Sequence, residues 1–395
     1  MPWWTRKGLG YRGRRLRLGS CDLQALAEKR GTPLYAYHGA RIRANLGRLR
    51  GALAAEGLRA RVFYAIKSNR FPPLLRLLRS AGAGADVCSP AELELARRCG
   101  FRPGAISYTG TAMSEEDARC LARHPQVRLN CDSLASLRRI ARLSPGRRIG
   151  LRINPGVGLG YRANPRLRYA GERDTKFGIY AEQFEEALRL SARGGLAIAG
   201  LHFHAGCGFL TPQLPAVDRV FAAVRPFLER LPDLEYLNLG GGLGIPLVAS
   251  DDPLDLAAWS RLVRRRFGRD KFEVWVEPGD YLVKDAGVLL LQVNMAERKR
   301  RTWFVGVNGG FNLHPEPAFY RLPLAPAPCE LRTGPVRTFA IAGNINEALD
   351  LLAEKVRLPL PEEDDILAFL NAGGYGAAMS SNHCMRGSFQ EVLLR

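Results

Sequence analysis

Residues 62–69 read VFYAIKSN, a run of apolar and aromatic side chains that closes on a lysine, Lys67. Such a run reads as a buried strand. An ammonium group is almost never buried without a partner, so Lys67 needs a chemical reason to be there. Working outward, RVFYAIKS (61–68) is the first of eight similar runs. The others are GADVCS (84–89), AISYTG (105–110), VRLNCDS (127–133), RIGLRINP (148–155), LAIAGLHFHAG (196–206), EYLNLGGG (235–242) and FEVWVEPG (272–279). Between them, stretches such as SPAELELARRCG and SEEDARCLARH space apolar residues at i, i+3 and i+4, the pattern of amphipathic helices. Eight strands joined by helices predict an α/β protein whose core is a parallel (β/α)8 barrel of the TIM type, spanning residues 36–285. Beyond it, GVLLLQVNMAERK, RTWFVGVNGG and VRTFAIAG alternate or run apolar without long helices. They predict an antiparallel β domain over 286–395, with residues 1–35 joining it through LYAYHG.

Bulk properties narrow the function. The 395-residue chain carries a formal charge of +20, and eight of its 58 basic residues are lysines, so the excess is arginine. The arginines are spread along helical stretches, which fits a solvated basic surface or an acidic partner. No helix-turn-helix, RNP or basic-region signature accompanies them, so nucleic acid is not expected. Eight dispersed cysteines with no CxxC pair point to reduced thiols, with neither a metal site nor a disulfide framework. No apolar run reaches eighteen residues, and MPWWTRKGLG lacks a signal-peptide core, so a cytoplasmic protein without a membrane anchor is expected.

Active sites of such barrels gather at the C-terminal ends of the strands. There the first run ends in Lys67 and the fifth carries Arg152 and Asn154. The sixth carries His202, His204 and Cys207, the seventh Gly240, Gly241 and Gly242, and the eighth Glu277. Each alone has an ordinary reading, as a packed histidine, a tight turn or a strand-end acid. Together they supply what pyridoxal 5'-phosphate needs. An amine forms its Schiff base, and glycine backbone N–H groups can approach its phosphate. A carboxylate faces its pyridine nitrogen and a flat imidazole can stack on its ring.

With these residues in place, the chain resembles the fold-type III PLP-dependent decarboxylases, the diaminopimelate and ornithine decarboxylase-like family. The likeness runs through YAIKSN, GADVCSPAEL with Asp86 and Glu92, NCDSL with Asp132, LRINP, KFGI (176–179) and HFHAGCG. It continues through LNLGGGLGIP, EPGD and NAGGYGAAMSSNHCMRGSFQEVLL. The resemblance implies an alanine racemase-like fold and a homodimer with shared active sites. It makes Lys67 the Schiff-base lysine, His204 the stacked imidazole and Glu277 the pyridine partner. Gly240, Gly241, Gly242 and Tyr375 would hold the phosphate, with Asp86, Arg152 and Cys207 completing the cofactor site. The implied reaction is loss of an α-carboxylate as CO2, followed by protonation of the same carbon.

Four departures from the family pattern bear on the substrate. In GNINEALD (343–350), Asn346 stands before Glu347 where the family has a cysteine serving the protonation step, and an amide is no general acid near neutrality. EPGD places Asp280 where the family has arginine, and EPAFY (316–320) opens with Glu316 in place of an RPALY-like arginine. Cys207 replaces a serine. Asp280, Glu316, Tyr320 and Glu347 are therefore the expected substrate-side residues. Like charges there would oppose a bound anion. The expectation is thus a specialised decarboxylase of an amino acid or conjugate, in siderophore- or antibiotic-like biosynthesis, its substrate free or tethered to an acidic carrier protein. The alternatives are meso-diaminopimelate decarboxylase and a non-catalytic PLP-binding partner protein. A racemase is disfavoured, because such enzymes pair the pyridine nitrogen with arginine and Glu277 is an acid.

Overall fold

The computed structural model describes residues 2–161, 164, 167 and 174–395. The chain divides into two compact units. One combines Met1–Ala44, Pro246–Asp251 and Leu282–Arg395; the other combines Asn45–Ile245 with Asp252–Tyr281.

The second unit is the barrel. Its strands are β1 (Ala60–Ala65), β2 (Gly84–Val87), β3 (Ile106–Tyr108), β4 (Arg128–Cys131), β5 (Arg148–Arg152), β6 (Ala197–His202), β7 (Tyr236–Asn238) and β8 (Glu273–Val276). Each pairs in parallel with the next, and β8 closes on β1 with Val274 opposite Ala60. Helices between strands start where the sequence provides caps. The Ser114 hydroxyl accepts from the Asp117 N–H while the Asp117 carboxylate accepts from the Ser114 N–H, opening the helix Glu115–Ala122. That helix buries Ala118 and Leu121, the two residues its spacing marks as apolar.

The barrel interior is packed, not a pore. The rings of Tyr236 and Trp275 stack with centroids 3.7 Å apart, and Phe63 leans on Trp275 at 4.8 Å. A side chain at Gly200 would place Cβ 2.1 Å from the Tyr236 ring, so glycine there makes room for the stack.

The strands stop short of the apolar runs that predicted them, and this changes the reading of Lys67. β1 ends at Ala65, and Ile66–Ser68 form a 3-10 turn that carries Lys67 out of the strand. The lysine side chain is 49% exposed, so it is not a buried residue. The apolar run before it belongs to the strand, and the lysine belongs to the mouth.

In the first unit, Gly287–Lys299 is the spine of the sheet. It pairs antiparallel with Leu34–His38, Thr302–Val307 and Ile366–Leu370. Two other pairings are parallel: Thr302–Val307 with Val336–Ala342, and Leu34–His38 with Gln390–Leu394. The sheet is therefore mixed where alternation predicted an antiparallel one. A parallel pair needs a long crossover, and the stretch between Val307 and Val336 provides it. The core of this unit gathers Leu16, Leu34, Ala36, Val288, Leu290, Ala368 and Leu370. Among the described residues, no helix is long and apolar enough to cross a membrane.

Candidate active site

Past the ends of the barrel strands, an acid is built into a network of donors. Glu277 is 7% exposed and follows β8. Its Oε1 accepts from Ser107 Oγ at 3.0 Å and from Asn238 Nδ2 at 2.6 Å, while Oε2 lies 2.9 Å from His202 Nε2. Asn238 in turn accepts the Gly240 N–H at 2.9 Å, and Asn130 donates to Ser107 Oγ at 3.3 Å. Burial alone would raise the pKa of this carboxyl. The charge and the hydrogen bond of His202, then the Lys67 charge and the Asn238 hydrogen bond, overcome it and hold Glu277 low, at about 2. His202 is pulled down by its own burial despite the acid beside it. Because a carboxylate oxygen can only accept, Nε2 is the donor in this pair.

Alternation along the chain places His204 beside His202 in the same direction, while Phe203 turns away to pack on Phe221. His204 Nδ1 accepts the Gly241 N–H at 3.2 Å. Burial first, then the charges of Lys67 and Arg152, hold this imidazole neutral. The glycine turn is shaped by contact. Gly240 has φ +68, and a Cβ on it would meet His204 Nδ1 and the Phe203 carbonyl at 2.7 Å. A Cβ at Gly242, with φ +95, would overlap the Gly206 carbonyl.

Lys67 Nζ stands 3.6 Å from Asp86 Oδ2. Asp86 is fully buried at the end of β2, and burial and then Glu277 push its pKa up to about 8 against the pull of Lys67 and Arg152. Arg152 lies over the Phe177 ring at 4.8 Å, which gives the KFGI segment a contact with the site. Cys207 Sγ contacts the Leu167 carbonyl at 3.5 Å. Asp280, next to the EPG turn, is partly buried.

The remaining expected residues belong to the sheet unit. Glu316 is buried and meets Lys284 Nζ at 2.5 Å and His314 Nε2 at 3.4 Å. Lys284 also lies 5.8 Å from the centroid of the Tyr375 ring. That carboxylate is already neutralised inside its own unit, which argues against its receiving a cationic end of the substrate. Tyr320 reaches the Met379 sulfur at 3.9 Å. Asn346 and Glu347 are exposed on a loop anchored by Asp350, which accepts the N–H groups of Phe311 and Ile345. Glu347 Oε1 lies 3.5 Å from His383 Nε2.

Reading the sequence alone assigned no role to Ser107, Asn130 or Asn238, and left His202 beside His204 without one. The signal was available. Ser107, Asn130 and Asn238 are polar residues inside apolar strand runs, and all three are fully buried. A buried polar group must find a partner, and here the partners lead to Glu277.

The donor set fits pyridoxal phosphate. It offers an exposed amine, an ionised carboxylate ringed by donors, a tight glycine turn fixed by Asn238 and His204 and bare of side chains, and an imidazole on that turn. Residues 40–284 match the pyridoxal binding domain of the pyridoxal-dependent decarboxylases. The chain is 35% identical to the diaminopimelate decarboxylase of Methanothermobacter thermautotrophicus, over 96% of this chain and 90% of that protein. It is 34% identical to the Pseudomonas fluorescens enzyme of the same name, over 97% and 92%. The crystal structure of the M. jannaschii diaminopimelate decarboxylase, a co-complex with L-lysine, superposes with a TM-score of 0.90. It is 26% identical and is matched over 100% of this chain and 94% of that one.

These relatives, matched along nearly the whole chain, overturn the expectation of a specialised biosynthetic enzyme. The charge-reversal argument behind it loses one of its two acids, because Glu316 is taken up by Lys284. What the barrel and its likenesses establish together is membership: the chain belongs to the fold-type III pyridoxal-phosphate-dependent amino-acid decarboxylases.

Proposed function

We propose that this chain is a meso-diaminopimelate decarboxylase, which removes the α-carboxylate at one end of its substrate and releases CO2 and L-lysine. The observation that carries the reading is the likeness to several diaminopimelate decarboxylases along nearly the whole chain, sheet unit included. A small, free diamino diacid also needs no carrier protein.

Bound pyridoxal phosphate supplies the electron sink that stabilises the negative charge left by departing CO2. The rest falls to the chain. Lys67 would hold the cofactor through its amine, and Asp86, 3.6 Å away, is placed to exchange a proton with that amine. Glu277 would keep the ring nitrogen protonated, and His204, tied to Gly241, is the imidazole that would pack on the ring. The Gly240 and Gly241 N–H groups are spent on Asn238 and His204, which fix the shape of the turn, and the missing side chains would let the phosphate approach its backbone. The proton that replaces CO2 cannot come from the Asn346 amide. Within the sheet unit, the titratable groups next to Asn346 are Glu347 and His383, 3.5 Å apart. The working form we assign is a homodimer.

The test is direct. Purified protein with added pyridoxal phosphate is given meso-diaminopimelate, L-ornithine, L-arginine and L-lysine in parallel, with release of CO2 and formation of lysine measured and Lys67→Ala as control. Lysine formed from meso-diaminopimelate and from no other substrate supports the reading. CO2 released from a different amino acid and none from meso-diaminopimelate overturns it.

A further inference from the structure

Among the buried groups near the barrel mouth, His202 has an arrangement that the cofactor-binding assignments do not use. It is 2% exposed, and its Nε2 lies 2.9 Å from Glu277 Oε2. Its other ring nitrogen, Nδ1, is buried with no hydrogen-bond partner among the described residues. A histidine kept for packing would meet both nitrogens or be replaced by an apolar residue, since an unmet buried nitrogen is unfavourable. This one gives up a hydrogen bond at Nδ1 and keeps the contact with the acid.

Its place is set by register. His202 lies opposite Arg152 on β5 and opposite Asn238 on β7. Asn238 and Ser107 both donate to Glu277 Oε1, so one oxygen carries two neutral donors and His202 alone serves Oε2 among the hydrogen bonds described. The charged and titratable groups around it are Lys67 after β1, Arg152 on β5, His204 after β6 and Glu277 after β8. Asp132, buried after β4, also feels the His202 ring.

We propose that His202 is a positioning residue: through Nε2 it fixes Glu277 Oε2 and keeps that carboxylate an anion, the form in which it acts on the ring nitrogen of pyridoxal phosphate. Removing His202 leaves Oε2 bare in a dry site. The carboxyl then takes a proton of its own more readily and holds the ring nitrogen less firmly.

The experiment compares wild type, His202→Gln and His202→Leu, reading cofactor binding by equilibrium dialysis and the absorbance of the bound cofactor as pH is varied, without substrate. Wild type is expected to keep a band of constant shape from mildly acid to mildly alkaline pH. His202→Leu is expected to bind pyridoxal phosphate roughly 10- to 100-fold more weakly, the worth of a hydrogen bond to a charged group. Its band is expected to shift with pH. His202→Gln retains an N–H donor and is expected to recover affinity and pH-independence. A His202→Leu protein with wild-type affinity and an unchanging band overturns the proposal. Equal loss of fold or affinity in His202→Leu and His202→Gln also overturns it and makes His202 a packing residue. No substrate enters these readouts, so they fail or succeed independently of the diaminopimelate assignment.

Discussion

Lys284 Nζ lies 2.5 Å from Glu316 Oε1 with both side chains almost wholly out of water, at 3% and 5% exposure. The acid that in sequence looked like a reversed charge on the substrate side is one half of an internal pair. Burial alone would raise the Glu316 pKa, but Lys284 and His314 outweigh it and hold it below its ordinary 4.5. Removing one partner strands the other as a buried charge. Lys284→Met or Glu316→Gln is expected to lower stability by about 3–5 kcal/mol, and the paired change Lys284→Met with Glu316→Leu to restore most of it. Urea unfolding measures both. The pH dependence has a fixed sign. A carboxyl with a depressed folded pKa stabilises the fold above its unfolded value and loses that contribution as pH falls through the folded one. The acid limb of the stability curve should therefore flatten in Glu316→Gln.

Asp86 behaves in the opposite sense. Burial and then Glu277 raise it from 3.8 to about 8, with Lys67 pulling the other way. A carboxyl raised on folding contributes stability that is complete below its unfolded pKa and is lost as pH climbs through the folded one. Asp86→Asn cannot ionise, so its stability relative to the cofactor-free wild type is expected to rise steadily as pH climbs from 3.8 toward about 8 and to level off beyond. Lys67 at the same time loses its carboxylate. Calorimetric melting of both proteins across that range checks the prediction, and a gain confined to the acid side refutes it.

Sequence pattern carried the barrel because its strands are short apolar runs separated by capped amphipathic helices, and every inter-strand helix reinforces the period. It also singled out Lys67, His204 and Glu277 as candidates, since polar residues at strand ends stand out against apolar runs. What it missed are effects of the third dimension. Lys67 looked buried because a 3-10 turn after Ala65 leaves no mark in composition. Glu316 and Lys284, thirty-two positions apart, become partners through the fold of the sheet unit. The arginine excess is partly structural in the same way. Arg147 is 6% exposed and donates to the carbonyls of Leu121, His124 and Val127, and Arg50 reaches those of Ala81 and Gly82. Several arginines thus serve the carboxyl ends of barrel helices, where orphan carbonyls need donors, and not a polyanion.

The glycine turn gives the sharpest prediction about cofactor affinity. Gly240 sits at φ +68, where a side chain strains the backbone, and its missing Cβ is the space occupied by His204 Nδ1 and the Phe203 carbonyl. Gly240→Ala therefore acts twice. The left-handed backbone costs about 1–2 kcal/mol, and the methyl group pushes His204 away from the Gly241 N–H it accepts. The Asn238 bond to the Gly240 N–H runs through the same residue, so a moved turn also loosens the donor that Asn238 gives to Glu277. Affinity for pyridoxal phosphate is expected to fall by at least about tenfold, the equivalent of the backbone strain alone. The barrel itself should stay folded, because the turn lies beyond the end of β7. Equilibrium dialysis of pyridoxal phosphate with circular dichroism on the same sample separates the two effects. Unchanged affinity in a folded Gly240→Ala protein would show that this turn does not hold the cofactor.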